Sequence, residues 1–256
     1  MLESSLGSAA SVLRAQIEAS LANRIPGALT MRPAMAPETV PLGIAAFEQR
    51  SIAIPRGSLT EICGPTSSGR TTLLLSLMRE VTRRGECCAL VDTSNAFDPP
   101  SALANGVNFG RLLCVRCAGP HPKLTPVEKA LRAADWIISA GGFGLIVLDL
   151  ADIEPHLARR IPLASWYRFQ RAIESTSAAF VIVEKEPFAK SCASLVITLE
   201  TTHSDWAPTL NRPGNPKLLT GISFSAGISR SRIDVSQRKS VGNSITEFNA
   251  ATSWTG

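Results

Sequence analysis

Gly64-Pro65-Thr66-Ser67-Ser68-Gly69-Arg70-Thr71-Thr72 has the G-x-x-x-x-G-K-[ST] spacing of a phosphate-binding loop, with arginine where lysine belongs. Such a loop turns its backbone N–H groups into one concavity at the start of a helix, and glycines let the backbone close around phosphate. The flanks fit. Ser58–Cys63 reads as a strand entering the loop, and Thr72–Val81 as the helix leaving it. The spacing therefore predicts a nucleoside triphosphate cradle held by residues 64–72. Thr71 takes the position of the hydroxyl that holds Mg²⁺, and Arg70 that of the cation reaching the β- and γ-phosphates. Arginine binds phosphate but is planar and bulkier than an ammonium, which argues against catalytic positioning more than against binding. The plain alternative is a glycine turn that binds nothing.

Working outward, Leu145–Asp149 is four apolar residues followed by an acid. Paired with the loop, Asp149 reads as the strand-end carboxylate of a magnesium shell. The alternative is a helix or turn cap. Further predicted strands are Leu59–Cys63, Cys87–Asp92, Leu112–Arg116, Ala179–Glu184 and Leu195–Leu199. Predicted helices are Thr71–Arg84, Ser101–Asn105, Pro126–Ala140 and Pro162–Ser175. Strands alternating with helices predict a mostly parallel central sheet flanked by helices, an α/β fold. Residues 1–24 carry Leu2, Leu6, Leu13, Ile17 and Leu21 at helical spacing, and residues 25–41 read as a Pro/Gly linker. One or two more strands are expected between 208 and 233. The organisation read here is 1–40 N-terminal helix and linker, 41–235 core with terminal strands, and 236–256 a polar, disordered tail.

The chain has 256 residues, 45% of them hydrophobic, with a formal charge of +5. That supports one large core and allows a nucleic-acid partner without demanding one. No apolar run reaches membrane-span length. The N-terminus lacks the basic and apolar regions of a secretory leader, so a cytoplasmic place is expected. Six cysteines lie mostly in apolar runs and read as buried thiols. Cys114-Val115-Arg116-Cys117 has no second pair and no spaced histidine, so a zinc site is not expected. The histidines are scattered, and no hydrolytic triad is visible.

Together, Gly64–Thr72, Leu90–Pro99, Gly106–Cys114, Leu145–Asp149 and the block Ile54–Ile62 resemble the ATPase core of the bacterial RecA recombinase, over roughly residues 40–200. A closer resemblance is to RecA-like accessory proteins of the ImuA kind, associated with damage-induced (SOS) mutagenesis and an error-prone polymerase. The resemblance implies a RecA-like P-loop fold with an N-terminal helix and a small C-terminal β extension. It also implies ATP and Mg as cofactors, and a place in the bacterial cytoplasm or on the nucleoid. Its implied partners are single-stranded DNA, DNA-repair proteins such as a recombinase or translesion polymerase, and further copies of the chain, with no membrane.

The departures are specific. The family's catalytic glutamate matches Ser94, its adenine-stacking tyrosine matches Ser101, and its γ-phosphate-sensing glutamine falls near Lys185, which offers a compensating charge. With Arg70 in the loop, the set predicts weak or absent hydrolysis and no confident catalytic residue. The family's two DNA loops correspond to Asp152–Pro162 and Glu186–Cys192, both short, so strand exchange is not expected. Arg159, Arg160, Arg168 and Arg171, interleaved with Trp166, Tyr167 and Phe169, are candidate DNA contacts. The competing reading, set slightly ahead, is that Ile161, Trp166, Phe169 and Ile173 bury while the arginines face water. Arg230, Arg232, Arg238 and Lys239 form a second basic cluster.

Two functions follow. One is a RecA-like repair accessory protein that binds nucleotide and acts through protein and DNA contacts. The other is a DNA-stimulated ATPase with a non-standard site, in which Asp92 or Asp98 replaces the missing glutamate. A kinase is disfavoured, since no acceptor-binding lid is visible.

Overall fold

In the computed structural model, the residues described are 38–120, 123–207, 218–231 and 245–251. The predicted N-terminal helix, most of the linker, His121, Arg232, Arg238 and Lys239 lie outside them.

The strands are β1 (Thr39–Pro41), β2 (Ala53–Pro55), β3 (Ser58–Cys63), β4 (Cys87–Asp92), β5 (Leu112–Arg116), β6 (Phe143–Asp149), β7 (Ala179–Glu184), β8 (Ala193–Trp206), β9 (Leu219–Ser231) and β10 (Ile245–Ala251). The helices are α1 (Ala45–Glu48), α2 (Arg70–Arg83), α3 (Pro99–Ala104), α4 (Pro126–Ala140), α5 (Pro155–Ala158) and α6 (Leu163–Glu174). Strands β1 and β2 form a small antiparallel pair. The main sheet has eight strands in the order β10-β9-β8-β3-β7-β6-β4-β5. From β8 to β5 every neighbour is parallel. Strands β9 and β10 continue it antiparallel. This is the predicted mostly parallel α/β sheet flanked by helices, with its C-terminal β extension.

The central parallel strands β3, β4, β6 and β7 are buried on both faces, so they read as nearly unbroken apolar runs. Alternate residues still part to opposite sides. Leu145 and Val147 enter the layer under α2, whereas Ile146 and Leu148 enter the layer under α4 and α6. Helix α4 starts on a capping box, with the Thr125 hydroxyl accepting from the Glu128 N–H and Glu128 accepting from the Thr125 N–H. It ends at Gly141, whose φ is +68°. The N-terminal edge of the sheet is stapled by Arg56. Its guanidinium donates to Glu86 (2.7 Å), to the Ser177 carbonyl (2.8 Å) and to the Gly144 carbonyl (3.3 Å). Planar forked donors suit this three-way bridge, which a lysine cannot reproduce.

Two readings of the chain ends need correction. The linker reading ran to Pro41, but Thr39–Pro41 pairs with Ala53–Pro55. The disordered-tail reading from 236 fails at Ile245–Ala251, which pairs with Gly221–Gly227. The tail segment looks polar because only one of its faces is covered. Thr246 and Phe248 are buried, while Ile245, Glu247, Asn249 and Ala251 are exposed. Asp152–Pro162, read as a loop, contains the short helix α5, opened by Pro155 at its first turn.

Candidate nucleotide and DNA sites

Strand β3 delivers the glycine loop to the start of α2. Gly69 closes it with a φ of +91°. Ser67 is also left-handed, at φ +63°, a conformation that costs a non-glycine residue about 1–3 kcal/mol. Its carbonyl is held by the Thr201 hydroxyl at 2.6 Å. The C-terminal extension thus braces the loop. A Cβ on Gly64 would run into the Leu199 carbonyl oxygen, and one on Gly69 would stand 2.8 Å from the Phe224 ring. Both glycines are therefore required by close approach. The Ser68 hydroxyl is buried inside the loop and has no hydrogen-bond partner among the described residues.

The loop opens onto a cleft of about 360 Å³. Residues Thr66–Thr72, Asp98, Ser101, Asp149 and Asp152 line it, with Phe97, Ile222 and Phe224 on its apolar side. The sequence-predicted loop residues and Asp149 are thus brought together. Asp152, Phe97, Ile222 and Phe224 were missed. Ile222 and Phe224 arrive from β9, across the sheet from the loop strand, and nothing local in the sequence points them here.

Arg70 is only 7% exposed. Its Nη1 donates to the Ala151 carbonyl at 3.3 Å. Burial lowers its pKa, opposed by the charges of Asp149 and Asp152. Asp149 accepts the Ala151 N–H on Oδ1 at 2.9 Å. Its carboxyl is pushed up to about 6, chiefly by burial, with the Ala151 hydrogen bond and Arg70 opposing the shift. The cradle fits a polyphosphate: a fixed concave backbone, two glycines where no Cβ fits, an orphan hydroxyl and a helix start. The donor set for magnesium fits poorly. Thr71 and Asp149 share the cleft, but a guanidinium lies beside Asp149, and one of that carboxylate's oxygens is already bonded to backbone.

The other acids near the loop have structural work. Asp92 accepts from the N–H groups of Ser94 (3.2 Å), Ala96 (3.1 Å) and Phe97 (3.0 Å). Asp98 caps α3 through the Ser101 N–H. Lys185 is turned away, ion-paired to Glu154 at 3.3 Å, and does not line the cleft. Ser94 does not line it either.

Below the loop lies a group that the sequence reading overlooked. Glu61 and Glu184 are both fully buried. Glu61 Oε1 accepts the N–H groups of Phe188 (2.7 Å) and Ala189 (2.5 Å). The Cys63 thiol donates to Glu184 at 3.8 Å. The Glu184 carboxyl is raised well above the ordinary range, first by burial, then by its hydrogen bond to Glu61 and the charge of Glu61. The signal was present in the sequence, since an acid inside the strand Ser58–Cys63 must find partners when buried. Burial also raises the thiols of Cys63 and Cys88. Among the described residues, no cluster of three or more histidine, cysteine or acidic side chains forms a metal site.

A larger cleft of about 730 Å³ lies between Ala158–Leu163 and Glu186–Lys190, the two segments matched to DNA loops. Arg159, Arg160 and Lys190 line it. Arg159 is paired with Glu186 at 2.5 Å. The other two candidate contacts are not gathered there. Arg168 grips Asp135 on α4 with two bonds, of 3.0 and 2.6 Å, and Arg171 belongs to the last turn of α6. Ile161, Trp166, Phe169 and Ile173 are all buried. The aromatics of this stretch therefore pack the core, except Tyr167, which is exposed and meets the Ser191 hydroxyl.

A strand, a glycine loop with its phosphate-cradle geometry, a helix, and an acid at the end of a nearby parallel strand define the class of P-loop proteins. Within that class the chain belongs to the RecA N-terminal domain family, which matches residues 28–157. It is 44% identical over 96 residues to the Protein RecA of Ectopseudomonas oleovorans, covering 38% of this chain and 26% of that protein. It is 37% identical over 140 residues to that of Rickettsia bellii strain RML369-C, covering 53% and 38%. It is 40% identical over 117 residues to that of Levilactobacillus brevis, covering 44% and 28%. The chain thus matches at most 38% of the length of these relatives. Among the described residues, no helix is long and apolar enough to cross a membrane.

Proposed function

We propose that this chain is a RecA-like accessory protein of the ImuA kind. On this reading it binds a nucleoside triphosphate on Gly64–Thr72 without rapid turnover. It acts in the response to DNA damage, including SOS mutagenesis, through contacts with DNA and with repair proteins such as a recombinase or translesion polymerase. The observation that carries the reading is the state of the cleft. Its cradle is intact, but the side chains around it are committed elsewhere. Arg70 is anchored on Ala151. Asp92 braces the loop after β4, and Asp98 caps α3. A general base must reach the attacking water, and neither of these acids is free to do so.

The test is equilibrium binding of ATP to the full chain, with phosphate release followed in the same samples with and without single-stranded DNA. The expected result is saturable binding, negligible release and no stimulation by DNA. The second reading, a DNA-stimulated ATPase, has one observation in its favour. Asp152 lines the cleft and is exposed to solvent, where it can meet a water. DNA-stimulated release that disappears in Asp152→Asn establishes that reading and removes the first.

The larger cleft is the DNA contact in this proposal. Phosphate contacts dominate single-strand affinity and make it salt-dependent. Arg160→Ala combined with Lys190→Ala is expected to weaken binding to an oligothymidine about tenfold at low salt and to flatten the salt slope by about one to two ions. Arg168→Ala is expected to leave DNA binding unchanged, because its guanidinium is committed to Asp135. Equal losses from both changes show that the contact is a diffuse positive surface and not this cleft.

A further inference from the structure

A polyphosphate site needs positive charge in front of the oxygens, and P-loops usually divide that task between a mobile lysine and a divalent ion. Here the arrangement differs. Arg70 is the first residue of α2, so its side chain leaves the loop at the cleft. It is almost fully buried, and its Nη1 reaches across to the carbonyl of Ala151, two residues beyond the end of β6. Asp149 and Asp152 place their negative charges against it. The side chain therefore shares the cleft with Asp149, the very carboxylate that a magnesium shell would use. Asp149 has Oδ1 engaged with the Ala151 N–H. A guanidinium is charged at every working pH and is less strongly hydrated than an ammonium, which suits it to a partly buried cation position. A divalent ion placed beside it meets like charge at short range.

We propose that this cleft binds a nucleoside triphosphate without a divalent metal, with Arg70 as the resident cation. The inference rests on the nucleotide-binding reading above and deepens it. The ligand class is the metal-free triphosphate. Its phosphates face the loop N–H groups, the Ser68 hydroxyl and Arg70, and its nucleoside faces Phe97, Ile222 and Phe224. Asp149 then has an inverted role: it orients Arg70 and repels the ligand, whereas in a metal shell it would hold the ligand through the ion.

That inversion makes the test one of sign. ATP binding to the full chain is measured by calorimetry in EDTA and again in excess magnesium. Binding is expected to be as tight in EDTA as in magnesium. Asp149→Asn is expected to bind ATP about tenfold more tightly in EDTA, because a negative charge facing the phosphates is gone. Arg70→Lys, whose side chain is shorter and has no fork to hold Ala151, is expected to bind ATP weakly in EDTA and to recover in magnesium. Binding that collapses in EDTA, together with weaker binding by Asp149→Asn, overturns the resident-cation inference and leaves the nucleotide reading standing. No binding of ATP by the unaltered chain in either buffer overturns both.

Discussion

Gly69→Ala is expected to cost about 4 kcal/mol of stability, the sum of left-handed backbone strain and an overpacked contact. Gly69 sits at φ +91°, where an L side chain is strained whatever the space. Its new Cβ would also stand 2.8 Å from two atoms of the Phe224 ring. That ring cannot retreat, because it is 2% exposed and packs on Phe248 at 5.2 Å. Phe248 in turn meets Phe47 at 5.5 Å. The three aromatics tie the C-terminal extension, the helix α1 and the loop into one layer. Phe224→Leu alone is expected to cost about 1–2 kcal/mol through lost packing. In the double variant the two costs should fall short of additivity by about 1–2 kcal/mol, since a smaller side chain makes room for the methyl. Urea denaturation of the four proteins measures this. Strict additivity would show that β9 does not rest on the loop.

That contact marks the boundary of what the sequence could disclose. Strands β4, β5 and β7 were read with the bounds observed; β4 and β7 are buried on both faces and announce themselves by an unbroken apolar run such as Ala179–Val183, and the edge strand β5 is apolar up to Arg116. The cradle was legible for a similar reason: its glycines, its Thr71 and its entering strand are contiguous. The extension was not. Strand β8 was read only to Leu199, although it runs to Trp206. Beyond Leu199 only one partner strand, β9, continues alongside it and its residues are largely exposed. Strand β10 looked like tail because only Thr246 and Phe248 of its residues are fully covered. The cleft suffers the same limit. Residues supplied by β9 come from more than 150 positions away from the loop along the chain, and no spacing rule connects them. The basic, aromatic stretch 159–171 was legible through its periodicity, and the favoured reading, with Ile161, Trp166, Phe169 and Ile173 buried, is the one observed. Its composition resembled a stacking surface, yet helical periodicity turns Trp166, Phe169 and Ile173 inward and leaves Arg168 to bridge two helices.

The buried acid pair below the loop gives the other large effect, and one with a pH signature. Glu61→Ala is expected to cost about 4 kcal/mol. It strips the acceptor from the part-buried N–H of Phe188 and the buried N–H of Ala189, and leaves Glu184 without its neighbouring carboxylate. Glu184→Gln is expected to do the reverse. Burial beside Glu61 makes the native Glu184 carboxyl keep its proton to a pH well above the ordinary value of 4.5, and in that protonated form it is a buried donor. Glutamine supplies that donor with no ionisation to suppress. The direction follows from proton counting. Above 4.5 the unfolded chain has released this proton while the native chain retains it, so the native state binds more protons and its stability falls as pH rises. The loss begins near 4.5 and continues until the pH passes the raised native value. Glu184→Gln should therefore unfold at a higher urea concentration than the unaltered protein at pH 8, with the difference shrinking toward pH 5. A carboxylate pair that is separately solvated predicts no such convergence. Because Phe188 and Ala189 lie within the segment Glu186–Lys190 that lines the larger cleft, loosening of Glu61→Ala should also appear as rapid amide exchange across Glu186–Cys192. Exchange confined to other segments would mean that the pair holds the sheet together without holding this loop.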